Sequence, residues 1–292
     1  MASQILLATC PGVGLFHDDE PLVAAFAHLG VVAEAKAWQE IDGSEGAPVL
    51  IRTPWDYAEH RDAFLAWLDR LDAAGVHVLN PPALMHWNLD KRYLLELQRR
   101  GVDIVPTELL PAFEEAAVRE VRRRRGWRVA IAKPTFGAGA TGLVRVDEAG
   151  VSTFDASGNT WMPDAAALPQ GPCLVQPLLP EVEEGEWSLF YFGGAYSHAV
   201  LKRPAAGDIR VQEEHGGRTE AATPSQAVRE AADRVMAAVP EALYGRVDGV
   251  VVAGRFLLME LELVEPELYF RYAGAEAPAR LAEATLAALQ AI

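Results

Sequence analysis

Near the C-terminus, the stretch Arg255-Phe-Leu-Leu-Met-Glu-Leu-Glu-Leu-Val-Glu-Pro266 puts carboxylates where a chain ordinarily has only apolar side chains. It reads as a β-strand. Side chains alternate along a strand, so Phe256, Leu258, Glu260 and Glu262 are expected on one face and Leu257, Met259, Leu261 and Leu263 on the other. Two acids on a half-apolar face need a partner. An unpaired buried carboxylate is costly, and two oxygen ligands about 7 Å apart at their Cα atoms can share one Mg2+ or hold two. The alternative, that the glutamates are the wet side of an amphipathic strand, sits badly with Phe256 and Leu258 beside them. Just upstream, Val247-Asp-Gly-Val-Val-Val252 reads as the other arm of a hairpin that turns at Ala253-Gly254. A two-residue loop would point Asp248 away from the glutamates, whereas a three-residue loop brings it onto their face. The three-residue loop is therefore expected, with Asp248, Glu260 and Glu262 as candidate metal ligands.

The 292 residues, half of them hydrophobic, suffice for a large core and suggest two or three subdomains. No apolar run approaches membrane-spanning length, and the start, Met-Ala-Ser-Gln-Ile-Leu-Leu, lacks a basic region and reads as a first strand, so a cytoplasmic enzyme with no membrane partner is expected. Cys10 and Cys173 are too few for a disulfide framework or a thiolate metal site, and read as small buried hydrophobes. A net charge of −15 disfavours nucleic acid as a partner and requires an anionic ligand to find local cations.

The first eighty or so residues alternate strands and helices, the pattern of a parallel sheet with right-handed crossovers. Strands are expected at 4–9, 31–35, 48–53 and 76–79, with helices after Pro21 and over 58–74. Asp18 and Asp19 read as capping residues of the first helix rather than, with His17, as a metal site. Ligands of such sheets lie beyond the carboxyl ends of the strands, where Arg52-Thr-Pro-Trp-Asp56 stands. Arg52 could clamp a substrate carboxylate against a wall formed by Trp55, or Asp56 could cap the next helix and pair with Arg52. Both readings stay open.

Asn80-Pro-Pro82 breaks the chain, and a helix is expected over 84–100 with Lys91 in its first half, followed by a charged helix over 113–125. Trp127 to Val146 then reads as strand, lysine, glycine-rich loop, strand. Gly137, Gly139 and Gly142 let backbone N–H groups approach a polyphosphate, and Lys133 can neutralise it. The lysine precedes the glycines, so the stretch is neither a P-loop nor a kinase glycine loop. Residues 150–170 read as an irregular insertion, and Gly171 to Pro180 as a short buried strand running into a proline-bounded hinge. Strands around 187–192 and 196–201 pair across Gly193-Gly194 and deliver Lys202. In the long polar loop that follows, Arg210 is the best candidate to touch substrate or phosphate and His215 reads as a solvated residue. Helices are expected over 225–239 and 277–291.

The lysine after Asn-Pro, the Lys-Pro and glycine-loop hairpin, the Gln176-Pro-Leu-Leu179 hinge and the late Asp248…Glu260-Leu-Glu262 hairpin occur in an order that resembles the ATP-grasp superfamily, nearest its glutathione synthetase and RimK-like branch. The likeness runs from about residue 80 to 270. It implies a mixed fold: an N-terminal open parallel α/β domain (1–84), a small lid subdomain with its linker helix (85–178) and a large C-terminal subdomain with the metal site (179–292), the last two of α+β type and sandwiching ATP. By the same resemblance Lys91 and Lys133 bind phosphate under the Gly137 to Gly142 loop. Gln176, Pro177, Leu178 and Leu179 form the adenine hinge, with Glu186 on the ribose. Lys202 and Arg210 approach the γ-phosphate or the acceptor, and Asp248, Glu260 and Glu262 ligate one or two Mg2+, with Mn2+ as a substitute. Glu262 departs from the pattern, since the last ligand in glutathione synthetase is Asn. The Arg52 segment has no counterpart in that enzyme and is similar instead to the D-cycloserine synthetase group.

The expected activity is ATP-dependent C–N ligation: a small amino-acid-like carboxylate is phosphorylated and an amine, on the same or another molecule, attacks the acyl phosphate, possible ring closure as in D-cycloserine synthesis included. Such chemistry rests on positioning and charge neutralisation, in keeping with a sequence that offers no Ser-His-Asp or Cys-His set. The other two classes to separate from it are an ATP-grasp kinase that stops at a phosphorylated product and a nucleotide sensor without turnover. A monomer or homodimer is expected.

Overall fold

Four short strands, β1 (Gln4–Thr9), β2 (Val32–Ala37), β3 (Val49–Thr53) and β4 (Val78–Leu79), form a parallel sheet in the order β2-β1-β3-β4 in the computed structural model, which describes residues 4–137, 142–153, 171–206, 208 and 210–291. The central strands are apolar throughout because both faces are covered. Ile5, Leu7 and Leu50 pack with Leu22 and Phe26 of α1 (Glu20–His28), while Leu6, Val49 and Ile51 pack with Trp67, Leu68 and Leu71 of α2 (Arg61–Ala73).

The helix expected over 84–100 is interrupted. α3 (Pro82–Asn88) and α4 (Tyr93–Arg99) are separated by a turn that carries Lys91. Asp90 accepts the backbone N–H of Arg92 at 3.0 Å, and the N–H of Lys91 is donated to the Thr135 carbonyl at 2.7 Å. Asn88 meanwhile bonds the backbone of Leu261 and Leu263, both at 2.8 Å. The Lys91 amide is thus diverted from the helix to Thr135 while the Asn88 side chain fixes the end of α3 to the large sheet, neither of which periodicity alone can anticipate.

An antiparallel sheet, β5 (Glu108–Leu110), β6 (Ala130–Pro134), β7 (Val144–Val146), β8 (Val151–Thr153) and β9 (Cys173–Pro177), runs in the order β5-β9-β6-β7-β8. It is backed by Val118 and Val121 of α5 (Glu115–Arg125), whose last turn is closed by Gly126 at φ +68°. Both cysteines are free and buried. The larger antiparallel sheet comprises β10 (Glu186–Phe192), β11 (Ala195–Arg203), β12 (Arg218–Ala221), β13 (Tyr244–Val252) and β14 (Arg255–Glu262), in the order β12-β11-β10-β13-β14. The helices α6 (Gln226–Ala237), capped by Ser225, and α7 (Glu276–Gln290) flank it. Leu189, Tyr191, Val247, Leu258 and Leu261 face α6 and α4. On the other side Phe190, Phe192, Val200 and Tyr244 join one core with α1, α7 and the parallel sheet. Leu84, Tyr93, Leu94, Leu97, Val102 and Ile104 share a core with the large sheet and with Leu174 of β9, while Met85 and Leu89 pack with the parallel sheet.

The hairpin of β13 and β14 differs from expectation in a way that decides the site. Val252 pairs with Arg255, so the loop has two residues, Ala253 and Gly254, at φ +48° and +79°, as in a type I′ turn that suits the right-handed twist of the strands. That register alone would turn Asp248 away from the glutamates. It is corrected by a bulge: Gly249 faces Leu258 but Asp248 faces Glu260, which leaves Met259 as an extra residue. The Phe256 ring lies over Gly249, where a Cβ would come 2.4 Å from Cζ of Phe256 and 2.5 Å from the Leu257 carbonyl oxygen. Phe256, Leu258, Leu261 and Leu263 consequently share the core face, and Glu260 and Glu262 emerge opposite, with Asp248. The grouping of Phe256 and Leu258 with the glutamates is thus overturned, while the meeting of Asp248 with them survives by a different route.

Candidate active site

Along β13, alternate residues Tyr244, Arg246, Asp248 and Val250 share one face, which passes from aromatic to charged to aliphatic. The aromatic end is covered by the N-terminal unit. At the aliphatic end Val250 joins Val182 and Val211, with Leu179, Val252 and Met259 packed alongside. Between them lies a cluster of charges.

Asp248 accepts from Ser188 Oγ at 2.5 Å and from Arg246 Nε at 3.0 and 3.1 Å, and Lys202 Nζ stands 3.7 Å away. Lys202, delivered by β11, is 4% exposed and pairs with Glu186 at 2.6 Å. Burial alone would lower the Lys202 pKa, but Asp248 and Glu186 raise it above the ordinary lysine range. Arg246 also binds Glu262. Glu260 pairs with Lys91 Nζ at 3.1 Å, and the same ammonium donates to the Gly137 carbonyl at 2.6 Å, tying the mouth of the glycine loop to β14. Burial would raise the Glu260 pKa, but Lys91 and Lys133 outweigh it and hold the carboxyl at about 2. Lys133 is pushed down by burial and, against the pull of Glu260, by the neighbouring Lys91. Glu262 is pushed up to about 8 by burial, with Arg246 opposing and Asp248 and Glu260 adding to the rise.

Lys91, Lys133, Lys202, Glu186, Asp248, Glu260 and Glu262 are thus brought together from four segments of the chain. The donors suit a hard divalent cation in kind. Their expected convergence on one point is not formed, however: among the described residues no three acidic, His or Cys side chains gather for an ion, because Arg246 holds Asp248 and Glu262 while Lys91 draws Glu260 aside. The hinge residues stand next to this cluster. Gln176, 6% exposed, donates to Thr107 Oγ1 at 2.9 Å, Pro177 pairs with Ala130, and the Leu178 N–H is donated to the Val129 carbonyl at 3.0 Å. Leu179 belongs to the aliphatic patch beside Val250. Gly142 adopts φ +71°, and Gly139 lies outside the described residues. Arg210 is paired with Asp208 at 2.7 Å, near His215.

The Arg52 segment is arranged otherwise than either reading of it. Arg52 is 1% exposed and donates to both oxygens of Asp19 at 3.1 Å and to the Pro266 carbonyl at 2.9 Å, so it is not an open clamp and does not pair with Asp56. Asp56 accepts from Trp38 and Gln39, and Trp55 packs on Phe16 at 5.2 Å. Nor do the two N-terminal acids cap α1: Asp18 accepts the N–H groups of Phe270 and Arg271 at 2.7 and 2.8 Å. Long-range partners win because a buried carboxylate gains more from a guanidinium or two amides than from a helix end.

Sequence reasoning missed Arg246, although Arg246-Val-Asp248 is the same two-residue spacing that singled out Glu260 and Glu262. It also missed Glu265, whose carboxyl and the Tyr57 phenol influence one another's ionisation across the chain. Burial lifts Glu265 to about 7, against the pull of Tyr57, Arg246 and Lys91. No local signal marks that pair.

The chain is similar to known proteins over most of its length. Residues 5–80 match the family model of the D-cycloserine synthetase DcsG N-terminal domain, and residues 98–260 that of the prokaryotic glutathione synthetase ATP-grasp domain. The cycloserine biosynthesis protein DcsG of Streptomyces lavendulae is 30% identical over 285 residues, which span 92% of this chain and 93% of that one. A glutathione synthetase of Prochlorococcus marinus is 32% identical over 155 residues, 52% of this chain and 46% of that one. The crystal structure of D-cycloserine synthetase DcsG, 28% identical, aligns with a TM-score of 0.82 over 98% of this chain and 99% of that one. The D-alanine–D-alanine ligase of Bacillus anthracis shares the fold at a TM-score of 0.65 and 14% identity, over 100% of this chain and 98% of that one. No helix among the described residues is long and apolar enough to cross a membrane. The chain belongs to the ATP-grasp family of ATP-dependent ligases, with a glutathione synthetase-type ATP-grasp domain behind an N-terminal domain of the D-cycloserine synthetase type.

Proposed function

We propose that the enzyme phosphorylates the carboxylate of a small amino-acid-like substrate with ATP and joins the resulting acyl phosphate to an amine, closing a ring when both groups belong to one molecule, as the name of its cycloserine-forming relative suggests. The observation that carries this reading is the gathering of Lys91, Lys133, Lys202 and Arg246 around three carboxylates on one face of the large sheet. Such a site is built to neutralise charge that develops during phosphoryl and acyl transfer.

In this reading the polyphosphate lies under the glycine loop and takes over Lys91 and Lys133 from Glu260. Asp248, Glu260 and Glu262 are the residues that would then hold Mg2+, which when bound supplies charge neutralisation at the phosphates. Arg246 and Lys202 face the transferred phosphoryl group and the substrate carboxylate. The aliphatic patch of Leu179, Val182, Val211, Val250 and Met259 receives the adenine. Arg210 reaches the acceptor from its own loop, and Glu186, freed from part of its hold on Lys202, meets the ribose.

Incubation with ATP, Mg2+, a panel of small amino acids and hydroxylamine tests the proposal. Expected is ADP release matched by hydroxamate. ADP without any trappable acyl species would end the ligase reading in favour of a kinase, and nucleotide binding without turnover across the panel would favour a sensor.

A further inference from the structure

Phe136 has its backbone in one part of the molecule and its side chain in another. It is the second residue after β6, a strand of the small antiparallel sheet, and Gly137 follows it at the entrance of the glycine loop. The core behind that sheet is built from Val118, Val121, Ala132, Val144 and Val175 among others, and Phe136 does not share it. Its ring packs instead against the core of the N-terminal domain, which holds Tyr57, Phe64 and Trp67. Two groups receive it there. The Tyr57 ring stands edge-on, with centroids 6.2 Å apart and planes at 87°, and the Arg61 guanidinium lies over the Phe136 ring, 4.5 Å from its centre. An edge-on ring and a cation over the ring face are both attractive arrangements.

The backbone on either side of Phe136 shows why its placement matters. The Thr135 carbonyl, one residue before, accepts the N–H of Lys91 at 2.7 Å, and the Gly137 carbonyl, one residue after, accepts Lys91 Nζ at 2.6 Å. Lys91 in turn pairs with Glu260 at 3.1 Å. Phe136 therefore stands between the two groups that hold a lysine of the charged cluster, and a displaced ring would carry both carbonyls with it. From this arrangement we infer that Phe136 and Arg61 are positioning residues: through their contact the N-terminal domain fixes where the glycine loop begins, and so how firmly the loop holds a polyphosphate. The inference rests on the reading that the polyphosphate lies against this loop.

The receiving side is rigid. Tyr57, 6% exposed, packs on Phe64 at 5.2 Å, and Phe64 on Trp67 at 5.3 Å, so a row of rings runs from the middle of the N-terminal core out to Phe136. Arg61 is the first residue of α2, and among the described residues its side chain has no carboxylate partner, which leaves the ring face as the contact its charge makes. A ring held from behind by Tyr57 and from above by Arg61 is ordered before any ligand arrives. Order that a bound nucleotide would otherwise have to impose on the start of the loop is then already in place, and affinity rises by the difference. Phe136 and Arg61 act on the nucleotide through the loop and not by touching it.

The test reads nucleotide affinity apart from folding. A non-hydrolysable ATP analogue is titrated with Mg2+ in a calorimeter into the whole protein, as wild type, Arg61→Ala, Arg61→Lys, Phe136→Leu, and Arg61→Ala combined with Phe136→Leu. Each of Arg61→Ala and Phe136→Leu is expected to weaken the analogue about threefold to tenfold. The double variant should fall no more than about twofold below the weaker single one, because both changes remove the same contact. Arg61→Lys keeps a cation over the ring and restores most of the affinity. Arg61→Ala melts close to wild type without nucleotide, so its loss of affinity is not a loss of fold. A Phe136 that merely filled a core would lower the melting temperature of Phe136→Leu and leave affinity unmoved. Affinity within about twofold of wild type in Arg61→Ala, or losses that multiply in the double variant, would each overturn the inference and leave the ligase standing. Failure of the underlying reading looks different: a wild type that binds no analogue ends both proposals, whereas coupled losses of affinity together with ADP but no hydroxamate uphold this one and end the ligase.

Discussion

Two arginines on neighbouring sheets, Arg52 and Arg246, are both buried and both paired with acids, yet they are built for different ends. Arg52 is 1% exposed, and Asp19 and the Pro266 carbonyl take its donors in a closed set. Arg246 is 8% exposed and shared between Asp248 and Glu262 at the edge of a cleft, with the Glu267 carbonyl beside them. A closed pair has nothing left to offer a ligand and ties the N-terminal sheet to the segment after β14. A shared and partly open one can trade its partners for phosphate or metal, because each exchange replaces one charge-assisted bond by another. Burial of a cation is therefore a poor guide to function. What separates the two is whether its partners can leave.

Breaking the closed pair gives the largest expected effect. Arg52→Ala strands Asp19 among apolar side chains and should lower unfolding free energy by about 3–5 kcal/mol, read from urea midpoints. An Arg52→Ala protein of unchanged stability whose substrate KM alone rises would restore Arg52 to the role of clamp. Removing the open set should act on catalysis instead. Glu260→Gln combined with Glu262→Gln is expected to reduce kcat by about 10²–10³, roughly 3–4 kcal/mol in the barrier, with a melting temperature close to that of wild type. Turnover that survives both changes at saturating Mg2+ would exclude this hairpin as the source of ligands.

The bulge that aims the open set can be probed at Gly249. Its Ala variant forces a Cβ into the Phe256 ring, so a loss of about 1–3 kcal/mol in stability should accompany weaker ATP binding. Loss of stability with intact nucleotide affinity would mean that the register of the acids does not depend on the bulge.

The smallest effect tests the shared core behind both arginines. His198 stacks on Phe190 at 4.3 Å, meets the Leu268 carbonyl at 2.9 Å, and is pushed down to about 4 by burial. Its folded pKa lies below the unfolded value near 6.5, so the unfolded chain binds the extra proton first. Stability from the neutral ring is present above about pH 6.5 and is lost as pH falls toward 4. Between pH 7 and 5 the wild type should lose about 1–2 kcal/mol more than His198→Gln. Parallel pH profiles would show that the ring is not held neutral.

The elements that carry the site were legible wherever they depend on near neighbours. Lys133 at the end of an apolar strand, the glycines after it, and the two-residue spacing of Glu260 and Glu262 are local patterns, and strand alternation is enough to read them. Lys91 was assigned to a helix and lies in a turn, because Asn88 and the Lys91 amide answer to β14 and Thr135 rather than to their own helix. Arg246 was legible by the same spacing as the glutamates, but its importance comes from joining Asp248 to Glu262 across strands. Arg52 and Asp19 meet only after the chain has folded back on itself.

What the sequence determined by itself is the order of parts: the alternating α/β start, the lysine and glycine loop, the hinge and the acidic hairpin. Hydrophobic period, turn residues and charge spacing act over a few residues, so a one-dimensional reading captures them. The tertiary structure alone decided which acids face which cations. A type I′ turn and an extra residue at Met259 together chose the face of the glutamates, and packing of Phe256 on Gly249 locked that choice. A shift of one residue in a strand reverses every side chain beyond it, and its cost is settled by contacts far away in sequence.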